Sequence, residues 1–193
     1  AVGALNANGI TWPVLKRGHV MSGIKAQKNS VTVWPVYIGS DGEENMNAGI
    51  ALSDSEIIFD IKVRDTELVG NSSRSDEVCI YFDSVNKSWA KPYKGIFKII
   101  SDPFGNVKIW EGDNGRWTEI ATSNVSVEAK EIAGGYSLDV RLNREMLPKM
   151  NKSAVRAGFT LSAYGAGGRG FTESVAYMST ANPCSWLQIL IEE

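Results

Sequence analysis

Residues 56–65 read Glu-Ile-Ile-Phe-Asp-Ile-Lys-Val-Arg-Asp, and their spacing decides the fold. Ile57, Phe59, Ile61 and Val63 fall on one face of an extended chain, and Asp60, Lys62 and Arg64 on the other. A strand alternates its side chains between two faces, so this stretch has one side to bury and one to wet. The same period recurs further along. Asp76–Asp83 groups Val78, Ile80 and Phe82; Asn124–Lys130 alternates Val125, Val127 and Ala129 with polar residues. Tyr136–Leu142 groups Tyr136, Leu138, Val140 and Leu142, and Val155–Ala163 continues through Phe159 and Leu161. Turn formers separate these runs at Ser40-Asp41-Gly42, Gly105-Asn106, Asp113-Asn114-Gly115 and Gly134-Gly135. Roughly ten short strands spaced in this way predict an all-β chain, a two-sheet antiparallel β-sandwich. Asn143–Leu147, closed by Pro148, predicts one short helical turn. The chain, 1–193, reads as a single domain with a less regular N-terminal extension over 1–28.

Composition narrows the function. At 193 residues and 43% hydrophobic, the chain can bury a full core without metal or disulfide staples. A net charge of −2 with no basic run argues against a nucleic-acid partner held through phosphates. No apolar run is long enough to span a bilayer, and the first residues lack the charged-then-apolar start of a signal peptide. Cys79 lies inside an apolar strand and reads as a buried free thiol; Cys184 is the only other cysteine. His19 is the single histidine, and no Gly-x-Ser-x-Gly elbow accompanies it, so neither a serine triad nor a zinc site is assembled from the sequence. A glycosidase needs a carboxylate pair, and no motif among the 22 acidic residues marks one.

Six tryptophans make the aromatic residues the best lead. Trp110 and Trp117 flank the hairpin loop Glu111–Arg116. Val107 and Ile109 share a face there, which turns Trp110 and Lys108 to the wet side. Such a cross-strand aromatic pair offers a platform on which sugar C–H groups stack, with Asp113, Asn114 and Arg116 at hand for hydroxyls. Hairpin stabilisation by an aromatic pair explains the same residues equally well. Trp89 and Tyr93, beside Lys87 and Lys91, form a second candidate; Trp34 is assigned to the core, and Trp186, at the start of the last strand, suits either role. Asp54, Asp65, Asp76, Asp83 and Asn86 stand at strand ends. Turn capping by Asp65, Asp76 and Asn86 through hydrogen bonds to the backbone is the favoured reading, and a structural Ca²⁺ the alternative; no other cofactor is expected.

Four segments, in order, resemble the family 9 carbohydrate-binding modules, β-sandwich units attached to xylanases and related hydrolases. They are Leu52–Asp65 (LSDSEIIFDIKVRD), Asp76–Lys87 (DEVCIYFDSVNK), Gly134–Leu147 (GGYSLDVRLNREML) and Ala157–Arg169 (AGFTLSAYGAGGR). The segment before Asn47 lacks the family's opening motif. The resemblance implies a sandwich fold and a carbohydrate ligand, and it places Tyr164 and Arg169 in a ligand-contacting, glycine-rich loop. It also exposes departures. Of the two tryptophans that clasp a sugar ring in the family, one falls on Ser73 and the other on the aromatic-free Ser179–Pro183. The family's acidic ligand falls on Cys79, and a family arginine falls on Lys98.

The expected carbohydrate contacts are therefore Trp110, Trp117, Trp89, Lys98, Arg74, Tyr164, Arg169 and Trp186, with no catalytic or metal residues. The expected function is that of a non-catalytic module holding a polysaccharide or oligosaccharide, as part of a larger parent enzyme such as a glycoside hydrolase, bacterial and secreted or on the cell surface. The competing expectation is a structural or protein-interaction domain of the same fold that binds no sugar.

Overall fold

A computed structural model describes residues 43–192 except 71–73, 88, 166–169 and 176–177, and before these 4–5, 11–12, 14–16, 24–25, 32–33 and 36–40. The early strands are β1 (Ala4–Leu5), β2 (Thr11–Trp12), β3 (Val14–Lys16), β4 (Ile24–Lys25), β5 (Thr32–Val33) and β6 (Val36–Ser40). They are followed by β7 (Glu43–Leu52), β8 (Glu56–Arg64), β9 (Glu77–Asp83), β10 (Ile96–Ser101), β11 (Val107–Asp113) and β12 (Arg116–Ile120). The last five are β13 (Val125–Ile132), β14 (Gly135–Asn143), β15 (Ala154–Tyr164), β16 (Gly170–Ser174) and β17 (Leu187–Glu192).

Two sheets carry the fold. The five-stranded sheet runs β13-β14-β8-β7-β6, and the eight-stranded sheet runs β12-β11-β10-β9-β15-β17-β3, with β16 also paired to β15. The chain is thus an all-β sandwich. One pairing departs from the antiparallel expectation: β3 lies parallel to β17, so the N-terminal stretch adds a strand to the large sheet.

The alternation read from the sequence sets which faces meet. Ile57, Phe59, Ile61 and Val63 of β8 join Tyr136, Leu138, Val140 and Leu142 of β14 in the inter-sheet core. Val78, Ile80 and Phe82 of β9, with Phe97, Ile99, Ile109 and Phe159, supply the opposing side. Phe59 lies edge-on to Phe82 at 5.6 Å and to Phe159 at 6.2 Å between ring centroids. Each fully buried side chain of this size contributes about 1.5–3 kcal/mol. The short helical turn appears as a single 3₁₀ turn, Arg144–Met146, with the Asn143 side chain accepting from the Glu145 N–H.

The β11–β12 hairpin is tighter than the expected Glu111–Arg116 loop. Its turn is only Asn114-Gly115, with φ of 50° and 83°. Both residues occupy the left-handed region, as a two-residue type I′ turn requires.

Candidate functional site

The outer face of the eight-stranded sheet carries the candidate site. Because β9 turns Val78, Ile80 and Phe82 inward, it turns Cys79 and Tyr81 outward. Register carries that parity across the sheet: Tyr81 pairs with Lys98, Lys98 with Trp110, and Trp110 with Glu119. Trp117 pairs with Gly112, one outward position along from Trp110. Trp110 and Trp117 therefore share a face diagonally and are not directly opposite each other.

Lys98 joins the two rings. Its ammonium lies 4.4 Å from the Trp110 ring centroid and 5.4 Å from that of Trp117. A cation at this range over an indole is attracted by the ring's negative face. Both tryptophans are half-buried and keep surface toward solvent.

Beside this ledge the outer face is roofed by its own loops. Cys79, Tyr81, Val85, Ile96 and Trp186 form a second hydrophobic cluster, with Ile100, Trp117 and Met178 packed against it. Trp186 is only 1% exposed; its ring lies 5.3 Å from Tyr81, and its Nε1–H donates to the Ser179 carbonyl at 2.9 Å. The expected part of Trp186 as a direct contact is thus corrected: the indole is consumed by the packing between the sheet and the segment 178–186. The glycines make that closeness workable. A Cβ on Gly158 would stand 2.6 Å from the Met178 sulfur, and one on Gly112 would stand 2.5 Å from the Tyr93 carbonyl oxygen.

Charged side chains pin the two roof loops. Arg156 donates to Asn86 Oδ1 and Gln188 Oε1 and to the carbonyls of Cys184 and Trp186. Glu111 accepts from Lys94 at 3.2 Å and from the Gly95 N–H at 3.1 Å. The Cys184 thiol reaches the Trp89 carbonyl at 3.1 Å, so the loops also touch each other.

Burial governs the chemistry beneath the roof. Both cysteines are free, and burial pushes the Cys79 thiol up to about 12 against weaker opposing effects of Tyr81, Lys98 and Thr160. Burial likewise raises the Tyr81 hydroxyl, and the neighbouring Cys79 adds to it. Neither group is a nucleophile at neutral pH, and Cys79, 7% exposed, does not present itself to a ligand.

The other expected residues are spread out. Trp89 is 37% exposed and its ring centroid lies 4.9 Å from that of Tyr93, on the loop that crosses Gly112. Arg74 is exposed in the segment that precedes β9. Tyr164 ends β15, and its backbone N–H donates to Asp76. Arg169, Ser73, Trp34 and His19 lie outside the described residues.

Asp65 and Asp83 act as turn caps, whereas Asp76 ties separate segments together and the side chain of Asn86, expected as a cap, accepts from Arg156 Nε instead. Asp76 accepts from Val69 and Tyr164, Asp83 from Val85 and Asn86, and Asp65 from Glu67. Asp65 Oδ2 and Asp83 Oδ2 remain buried without a partner. Among the described residues no three His, Cys, Asp or Glu side chains gather as a metal-binding group.

Sequence reading missed Tyr81, Arg156 and Glu111. Tyr81 was accessible through parity alone, because it alternates with Ile80 and Phe82. Arg156 and Glu111 act on distant loops, and no local pattern announces that.

No family model matches the chain, and no curated protein matches it. Solved structures do. A family 9 carbohydrate-binding module from Caldicellulosiruptor kristjanssonii in complex with cellotriose superposes with a TM-score of 0.69 at 14% identity, covering 94% of each chain. A family 9 module from the same organism in complex with glucose gives a TM-score of 0.65 at 16% identity, covering 93% of this chain and 94% of that one. The chain therefore has a family-9-like carbohydrate-binding-module fold.

Proposed function

We propose that the chain is a non-catalytic carbohydrate-binding module whose ligand face is the outer face of the eight-stranded sheet at Trp110, Lys98 and Trp117. One observation carries this reading: two half-exposed indoles share a face and are held in place by one ammonium at 4.4 and 5.4 Å. Pre-ordered rings lose little freedom on stacking against a sugar. Support comes from the fold shared with modules solved in complex with cellotriose and glucose. The proposal extends to a polysaccharide-directed role beside a parent hydrolase, outside a bacterial cell. Among the described residues no helix is long and apolar enough to cross a membrane.

A second reading has its own observation. The place of the family's acidic ligand, Cys79, is buried under Tyr81 and Trp186, as in a domain of this fold that has given up sugar for structural or protein contacts. Affinity electrophoresis through soluble polysaccharides, with cello-oligosaccharides as competitors, separates the two. The module reading predicts retardation that Trp110→Ala weakens at least about tenfold, or 1.4 kcal/mol. Free migration through every polysaccharide favours the second reading.

A further inference from the structure

Next to Trp110 the same face opens into a pocket of about 600 Å³, lined by Ser75, Glu77, Ile100, Asp102, Asn106 and Lys108 among others. That volume suits one or two sugar units. Strand parity accounts for the lining: Ile100 pairs with both Cys79 and Lys108, so Lys108 stands one outward step from Trp110 and Glu77 one outward step from Cys79. Asp102 is committed to the turn after β10. It accepts from the N–H groups of Phe104 and Asn106 and from Asn106 Nδ2 at 2.6 Å. Glu77 and Lys108 stand in each other's field and are not committed to such a turn.

We propose that this pocket takes an uncharged pyranose, stacked on the part of Trp110 that Lys98 leaves open, with Glu77 accepting from and Lys108 donating to its hydroxyls, and that it rejects uronate units. The proposal rests on the reading of this face as the sugar-binding one. The reasoning is electrostatic. A carboxylate beside an ammonium offers an acceptor and a donor to neighbouring hydroxyls, which a neutral sugar satisfies in full. Two carboxylates, Glu77 and Asp102, line the pocket against the one ammonium of Lys108, and the Lys98 ammonium, which lies over the Trp110 ring, is not part of the lining, so a sugar carboxylate seated between Glu77 and Asp102 meets repulsion there.

The pocket also predicts a pH signature. Burial raises the Glu77 carboxyl above its ordinary range; Asp102 adds to this and Lys108 opposes it. On β15 its partner is Ser162, which carries no charge. Binding that needs the Glu77 anion is complete above the raised value and falls as pH drops through it.

Isothermal titration with cellotriose, and with the trimer in which each glucose is oxidised to glucuronate, tests the inference. Wild type is expected to prefer cellotriose by at least about tenfold, and Glu77→Gln to lose about tenfold in cellotriose affinity, narrow the preference and flatten the pH profile. Lys108→Ala is the second variant, and unchanged melting temperatures certify both folds. If Trp110→Ala loses affinity while Glu77→Gln and Lys108→Ala bind as wild type, the pocket inference is overturned and the module reading stands. If wild type binds neither trimer, the inference is overturned; if it binds no polysaccharide at all, the module reading goes with it.

Discussion

Replacing Trp186 separates packing from recognition. Its ring is 1% exposed, lies against Tyr81 at 5.3 Å and stands 3.3 Å from where a Cβ on Gly158 would lie. Truncating a buried tryptophan to alanine costs about 3–5 kcal/mol. For a chain of this length each kcal/mol moves the melting temperature by about 2–4 °C, so Trp186→Ala is expected to lower it by about 6–20 °C. Trp186→Phe keeps a ring and loses the indole hydrogen bond, about 1 kcal/mol. The Ser179 carbonyl is not stranded by that change, since it also accepts from the Asn182 N–H and the Ser185 hydroxyl. Thermal melts followed by circular dichroism, with glycan affinity measured on the same samples, give the answer. Trp186→Phe should melt a few degrees low and bind as wild type. The reasoning is refuted if Trp186→Ala melts within about 2 °C of wild type, or if Trp186→Phe keeps its stability and loses the ligand.

Two further predictions concern the frame around the site. Asp83 has a raised carboxyl, mainly through burial, while its hydrogen bonds to Asn86 and Val85 and the charge of Arg156 pull the other way. The folded state then holds its proton more tightly than the unfolded chain, so this group's contribution to stability is greatest below 3.8 and declines as pH rises through the raised value. Asp83→Asn should flatten that part of the urea-melt profile and stay within about 1 kcal/mol of wild type near neutrality, whereas Asp83→Ala, which strands two N–H groups, should cost about 1–3 kcal/mol; a wild-type stability that climbs through the same window would contradict this. Gly112→Ala drives a methyl into the Pro92–Tyr93 backbone, so a loss of about 1–3 kcal/mol is expected in chemical unfolding, and an unperturbed midpoint would show that the loop does not lie there.

Much of the fold was legible because period-two alternation is a direct consequence of strand geometry. The alternation through Phe59, Phe82, Leu138 and Phe159 places all four in one core, and the same parity turns Lys98 and Trp110 outward. The roof over the site was not legible. Trp186 follows a 3₁₀ turn, Pro183–Ser185, and is held by Arg156 and Ser179, partners that local pattern cannot supply. The pocket escaped for a related reason: Glu77 and Lys108 lie 31 positions apart (108 − 77) and meet only through the pairing of β9, β10 and β11. The parallel docking of β3 on β17 likewise joins the two ends of the chain, where spacing carries no information.

The location of the ligand face is tested most directly by mapping amide and indole N–H chemical shifts while cellotriose is titrated into labelled protein. The account predicts concentration-dependent shifts at the indole N–H groups of Trp110 and Trp117 and at the amides of Lys98 and Lys108, with the buried Trp186 indole nearly still. Shifts centred away from β10–β12, or a spectrum indifferent to the sugar, would contradict it.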